Sequence, residues 1–322
     1  MATSANLRVA VVQFSPMLGK VEENVKKAEK ICSKIQPDTV DLVCLPEMIM
    51  TGYVFPDASA ISPYLEQPQT GPTSRFCANL ARRLGCYVTA GYPEALKPEE
   101  YGRIENGSEM VGANSAALFS PDGTYVGGYR KTNLFMTDKT WAKPGDGFKT
   151  FNLPALPKEL QTLSIGICMD LNPHPPADWT LAGGPYEIAD YCRLSGPVSG
   201  VGKKGESKRR TNVLVLLNAW LDSQTEMETK WDASTLNYWI VRLRPLWDRE
   251  HDISRDDKES DDHMVDSHEK ETIVIICNRS GDDNGTLFAG TSAVLRLREG
   301  SGDPDVVGIM GRREEGVRIW SV

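Results

Sequence analysis

The chain has 322 residues, 40% hydrophobic and 25% charged, with a formal net charge of −8. Those proportions suit a globular protein with a substantial core, and an acidic balance without a sustained basic patch excludes nucleic acid as an expected partner. Seven cysteines without a C-x-x-C pair or Cys/His ligand spacing argue against a disulfide framework or a zinc site, and for a reducing, cytoplasmic setting.

Strand-like LRVAVVQF starts at Leu7 with no signal or transit pattern before it, and no apolar run has bilayer length, so no membrane partner is expected. Ser15-Pro16 closes this first strand. Residues 21–35 follow as an amphipathic helix, with Val21, Val25, Ala28, Cys32 and Ile35 on one face. Pro37-Asp38 ends it, and VDLVCL (40–45) is a second buried strand that delivers Pro46-Glu47. Strand, helix and buried strand in this order predict a βαβ unit. Residues 50–71 are irregular until Pro72 opens a helix to Leu84, closed by Gly85. CYVTAGY (86–92) is the third strand. ANSAALF (113–119) and TYVGGYR (124–130) form a hairpin about Ser120-Pro121-Asp122-Gly123, and its second strand ends in Lys131.

TLSIGI (162–167) is a buried strand that runs straight into Cys168, and Pro173 stops regular continuation. Residues 185–194 read as a helix and NVLVLLN (212–218) as a buried strand entering Ala219-Trp220. A long helix is predicted over 225–244, with Leu236, Trp239, Ile240 and Leu243 in one core-facing stripe. TIVIICN (272–278), TSAVLRL (291–297) and VRIW (317–320) supply later strands. The basic run KKGESKRR (203–210) reads as a solvated loop. Residues 248–271 are so densely charged that they read as an exposed insertion, with His251, His263 and His268 solvated rather than metal-bound. Without a repeat or a linker, residues 1–322 are expected to form one domain.

Three reactive side chains directly follow strands: Glu47, Lys131 and Cys168. Each has a plain alternative. Glu47 suits a cap or salt bridge, Lys131 suits solvent, and a lone Cys in an apolar strand is usually a small buried hydrophobe. Their common placement matters because strand ends converge on one edge of a sheet. The chemistry fits a shared site. A carboxylate removes the thiol proton, and an ammonium lowers the thiol pKa and stabilises an oxyanion, with the Met169 N–H as a second donor. A Cys/His pair is disfavoured, since His174 lies six residues past the thiol, beyond a proline.

LPEMIMTGY around Glu47, GGYRKTNLF around Lys131 and GICMDLNP around Cys168 together resemble the nitrilase (carbon–nitrogen hydrolase) superfamily, in the same order, over nearly the whole chain. The resemblance implies an αββα sandwich that pairs subunits into an αββααββα homodimer through its helices, with no cofactor. It also implies roles: Glu47 as base, Lys131 stabilising the intermediate, Cys168 forming a thioester as ammonia leaves. CMDLNP, PYEIADYC (185–192) and LNAWLDS (217–223) are similar to a fungal branch that deamidates N-terminal Asn and Gln of proteins in an N-degron pathway. Two departures stand out. Leu171-Asn172-Pro173 follows Met169-Asp170, where the superfamily has a Tyr-Asp with an Arg beyond. A second superfamily glutamate lacks a clear counterpart, and Asp138, nearest its place, is a candidate for positioning the lysine.

The leading expectation is an amidohydrolase acting on protein or peptide N-termini that begin with Asn or Gln. Such a substrate brings an α-ammonium, for which a carboxylate is the natural partner. Asp222 follows the strand 212–218 and is assigned that role, with a helix cap as its open alternative. Trp220 or Tyr53 is expected to wall the pocket. Two competitors remain: an amidase for a free small-molecule amide or carbamoyl compound, and an inactive sandwich used as a binding scaffold. Retention of Glu47, Lys131 and Cys168 argues against the scaffold, because nothing structural requires the three together.

Overall fold

Alternation along the strands decides which way each layer faces. In β1 (Arg8–Gln13), Val9 and Val11 enter a core shared by two sheets, whereas Ala10 and Val12 meet helices. After α1 (Val21–Cys32), β2 (Leu42–Leu45) repeats the pattern, with Leu42 and Cys44 inward and Val43 and Leu45 outward. The computed structural model describes residues 6–103, 107, 109–194, 198–199, 210–225, 229–248 and 270–322. Most of KKGESKRR and nearly all of the charged insertion, with its three histidines, lie outside the described residues.

A short α2 (Ala58–Ile61) interrupts the segment read as irregular, and α3 (Pro72–Leu84) follows. Pro72 suits the first helical position, where no amide bond is lost, and Gly85 ends the helix at φ 65°. Beyond β3 (Tyr87–Ala95) lie a two-residue ribbon, β4 (Gly102–Arg103) with β5 (Glu109–Met110), and the hairpin of β6 (Gly112–Phe119) and β7 (Tyr125–Arg130). β1, β2 and β3 are parallel neighbours, and β6 and β7 extend that sheet.

The second sheet is built from β8 (Thr150–Asn152), β9 (Thr162–Ile167), β10 (Val198–Ser199), β11 (Val213–Asn218) and β12 (Glu271–Asn278). Its centre is the parallel set β9–β11–β12. Two more helices, α4 (Glu187–Leu194) and α5 (Ala233–Arg242), cover its outer face. The chain ends with a hairpin of β13 (Ser280–Asp283) and β14 (Thr286–Ala289), then β15 (Ala293–Arg298), β16 (Asp305–Ile309) and β17 (Gly316–Ser321). β15 and β16 extend the second sheet, while β17 crosses to pair with β1 in the first. α1 and α3 cover the first sheet as α4 and α5 cover the second, so one chain makes four layers, α–β–β–α.

The long helix expected over 225–244 is shorter. It starts only at Ala233, where the Asp232 side chain accepts the Thr235 N–H and caps it. β8 is too short to show a period, and β13 is SGDD, too polar to read as a strand. No helix among the described residues is long and apolar enough to cross a membrane.

Candidate active site

Pro46 ends the β2 ladder, and the next residue turns its carboxylate into the interior. Glu47 is fully buried, and a Cβ added to Gly91 on neighbouring β3 would lie 2.5 Å from the Glu47 Cα. Only glycine permits that approach. Lys131, immediately after β7, is also fully buried, and its Nζ donates to Glu47 Oε1 at 2.7 Å and Asp138 Oδ2 at 2.6 Å. Asn114 on β6 joins the two acids from behind, donating through Nδ2 to Glu47 Oε1 (2.6 Å) and Asp138 Oδ1 (2.9 Å). The Ala219 N–H, just past β11, donates to Glu47 Oε2 at 2.6 Å. The sequence marks Asn114 only as an amide inside a buried strand of small and apolar residues.

Cys168 follows β9 with φ 45°, a left-handed conformation that a non-glycine residue adopts at a cost and that recurs at reactive centres. Its N–H donates to Asn218 Oδ1 at 3.1 Å. Asp170 holds the turn from below. It accepts the N–H groups of Ile167 (2.8 Å), Asn133 (2.9 Å) and Thr132 (3.0 Å) and the Tyr129 hydroxyl (2.7 Å). One carboxylate therefore fixes the turn bearing the thiol to the turn bearing the lysine. Arg242 on α5 adds a second hold, donating to the Leu171 and Gly183 carbonyls.

Burial pushes the Cys168 thiol well above its ordinary pKa, and the Glu47 charge adds to this while Lys131 opposes it. The resting sulfur is a thiol and needs a base. Burial also raises Glu47, against the pull of Lys131. Burial alone would lower Lys131, but the Asp138 and Glu47 carboxylates outweigh it and hold the ammonium charged.

Cys168, 7% exposed, sits at the floor of a cavity of about 370 Å³. Met169, Phe135, Trp179, Trp220 and Tyr238 supply its apolar walls, and Asn172, Ser223 and Thr235 its polar points. No acidic or basic side chain lines it among the described residues. Trp220 and Met169 are thus placed in the wall. Asp138 is placed with the lysine, outside the cavity lining.

Two assignments are corrected. Tyr53 stands behind the lysine, its ring centroid 5.6 Å from Lys131 Nζ, and does not wall the cavity. Asp222 does not reach the cavity either. Its buried carboxylate accepts from Arg313 Nη2 at 2.9 Å and the Gln224 N–H at 2.8 Å, with Arg312 Nε at 3.8 Å. Leu221 bridges to Phe288, and the Asp222 carboxylate turns instead toward the C-terminal arginines that hold it. His174 packs on Phe148 at 5.5 Å and is no partner for the thiol.

A buried thiol, carboxylate and ammonium at converging strand ends of an α–β–β–α sandwich define a hydrolase of carbon–nitrogen bonds other than peptide bonds. The carbon-nitrogen hydrolase family pattern matches residues 8–173, more than half of the chain, and the chain belongs to that family. The protein N-terminal amidase of Schizosaccharomyces pombe is 31% identical over 91% of this chain and 92% of its own length. Two solved structures of an N-terminal amidase share the fold over 99% of both chains. One, with an Asn-Glu-Ala peptide, has a TM-score of 0.74 at 20% identity; the other, with a Gln-Gly peptide, 0.73 at 19%.

Proposed function

We propose that this chain is a protein N-terminal amidase that hydrolyses the side-chain carboxamide of an N-terminal Asn or Gln to a carboxylate, releasing ammonia. The observation that carries the reading is the uncharged, aromatic-walled cavity with Cys168 at its floor beside the buried Glu47–Lys131–Asp138 cluster. The resemblance to the S. pombe amidase over nearly its whole length supports the substrate class.

In this mechanism Glu47 takes the thiol proton as the Cys168 sulfur attacks the carboxamide carbon. Lys131 Nζ and the Met169 N–H receive the oxyanion; Met169 lies in the first turn after the strand, where an amide has no acceptor within its own turn. The proton held by Glu47 passes to the departing amine, which leaves as ammonia from the collapsing intermediate. A thioester remains. Water, deprotonated by the same carboxylate, adds to the thioester carbon; the C–S bond breaks, the acid departs and the thiol regains its proton. Asp138 and Asn114 position Lys131 and Glu47 throughout.

The same reading gives a cytoplasmic protein whose seven cysteines, all free and buried, stay reduced. It also gives a homodimer formed through the sandwich helices, which sedimentation at micromolar concentration tests. The deciding experiment incubates the protein with Asn- and Gln-starting peptides, their N-acetylated forms and free glutamine, and measures ammonia with peptide mass. Deamidation of free-amine peptides alone is the expected result. Turnover of free glutamine with none of the peptides would instead favour a small-molecule amidase.

A further inference from the structure

Resting on that reading, the substrate brings an ammonium only a few bonds from the attacked carbon, and it must be held inside the cavity. Among the described residues, three acids beside the cavity wall are engaged elsewhere, and Asp178, next to Trp179, is exposed and does not line the cavity. Asp170 accepts three backbone N–H groups and the Tyr129 hydroxyl, Asp222 is held by Arg313, and Asp232 accepts from Ser223, Thr235 and Arg312 Nη2 at 3.2 Å.

The wall offers a different partner for a cation. Trp220, Tyr238 and Trp179 form one run of rings: Trp220 to Tyr238 at 5.4 Å between centroids, Tyr238 to Trp179 at 5.8 Å with planes 5° apart. Trp220 is locked at its back by Trp239, edge-to-face at 5.9 Å. It also directly follows Ala219, whose N–H holds Glu47, so the run of rings begins beside the reacting groups. The Tyr238 hydroxyl donates to Asn172 Oδ1, and Asn172 Nδ2 donates to the Met169 sulfur at 2.8 Å, which fixes the ring relative to the thiol turn.

We propose that Trp220, Tyr238 and Trp179 bind the α-ammonium of the substrate by cation–π attraction, and that this aromatic wall reads a free N-terminus. Ring faces attract charge without requiring an N–H donor in one direction. Gln places the ammonium one methylene farther from the attacked carbon than Asn does. A run of rings follows that displacement, whereas a single directional acceptor does not.

The test uses one Asn-starting peptide in three forms: free amine, N,N,N-trimethylated and acetylated. Trimethylation keeps the charge and removes every N–H; acetylation removes the charge. The expected result is a kcat/KM for the trimethylated peptide much nearer the free amine than the acetylated one. Trp179→Leu and Tyr238→Leu should each raise KM for both cationic peptides by about tenfold with kcat nearly kept, the scale of one desolvated cation–π contact. Trp179→Phe should recover most of that loss. Trp179 is 65% exposed, so its replacement leaves the core intact. A trimethylated peptide as poor as the acetylated one, or an unchanged KM in both leucine variants, overturns the proposal while deamidation of the free-amine peptide still upholds the function. No deamidation of any Asn- or Gln-peptide by the unaltered protein overturns both.

Discussion

The floor and the wall of the cavity are built on opposite plans. The floor, Cys168, rests on a charged and closed cluster: Glu47, Lys131 and Asp138 are wholly buried and, with Asn114, joined by hydrogen bonds of 2.6–2.9 Å. The wall is uncharged and partly open, with Trp220 and Tyr238 half-buried and Trp179 exposed. The floor stands on strand ends, so the sheets themselves set its geometry. Much of the wall stands on the segment after β11, which the C-terminal residues hold from outside. Arg313 grips Asp222 and the Phe288 carbonyl, while Arg312 reaches Asp232 and the Thr225 carbonyl. On the proposed reading, bond-making chemistry belongs to the sandwich interior, where exclusion of water strengthens charge interactions, and selectivity belongs to a wall anchored by distant chain.

Damage to the floor should cost rate, and the largest loss is expected at the nucleophile. Cys168→Ala should lower turnover by at least about a thousandfold with an unchanged melting profile, read by ammonia release and circular dichroism. Mass spectrometry of the unaltered protein, quenched during turnover, should find the acyl group on this residue. Full activity in the alanine variant would remove the sulfur from the mechanism.

Next come the charged partners. Glu47→Gln and Lys131→Met should each lose roughly a hundredfold in kcat. Lys131→Met also leaves two acids facing each other in the interior, and breaking a buried pair costs about 3–5 kcal/mol, visible as a lower melting temperature. Asp138→Asn keeps the shape and removes one charge, so a loss on the order of tenfold in kcat is expected. If these variants lost activity only in step with unfolding, the residues would be structural.

The pH profile sharpens the same contrast. Burial raises Glu47, so the base is lost when acid is added at a pH above its ordinary 4.5, and the acid limb of kcat/KM should have its midpoint above that value. Lys131 is raised above 10.5 in the folded state, so its contribution to stability is fully present below 10.5 and is lost as pH climbs through the raised value. Denaturant titrations should show that alkaline loss in the unaltered protein and not in Lys131→Met.

Damage to the wall's anchor should be smaller and of another kind. Arg312→Ala loosens the segment after β11 without touching the floor, so KM for an Asn-peptide should rise roughly tenfold while kcat is nearly kept. The rate of Cys168 alkylation by iodoacetamide, which needs no peptide wall, should stay the same. A fall in kcat with constant KM would show that the two regions are not separable.

Strand periods, the caps of α3 and the polar residues that follow β2, β7 and β9 were legible in the chain because each depends on neighbours a few positions away. That local order brought Glu47, Lys131 and Cys168 into view at strand ends, and the motifs around them implied the sandwich by resemblance. Tertiary structure alone decided what surrounds them. Asn114 bridges acids that lie 67 and 24 residues from it, and Asp222 meets an arginine 91 residues onward, which turned a predicted ligand for substrate into an anchor for the wall. Such pairings depend on which distant segments the packed sheets bring within hydrogen-bond reach, and no local period or propensity encodes that proximity.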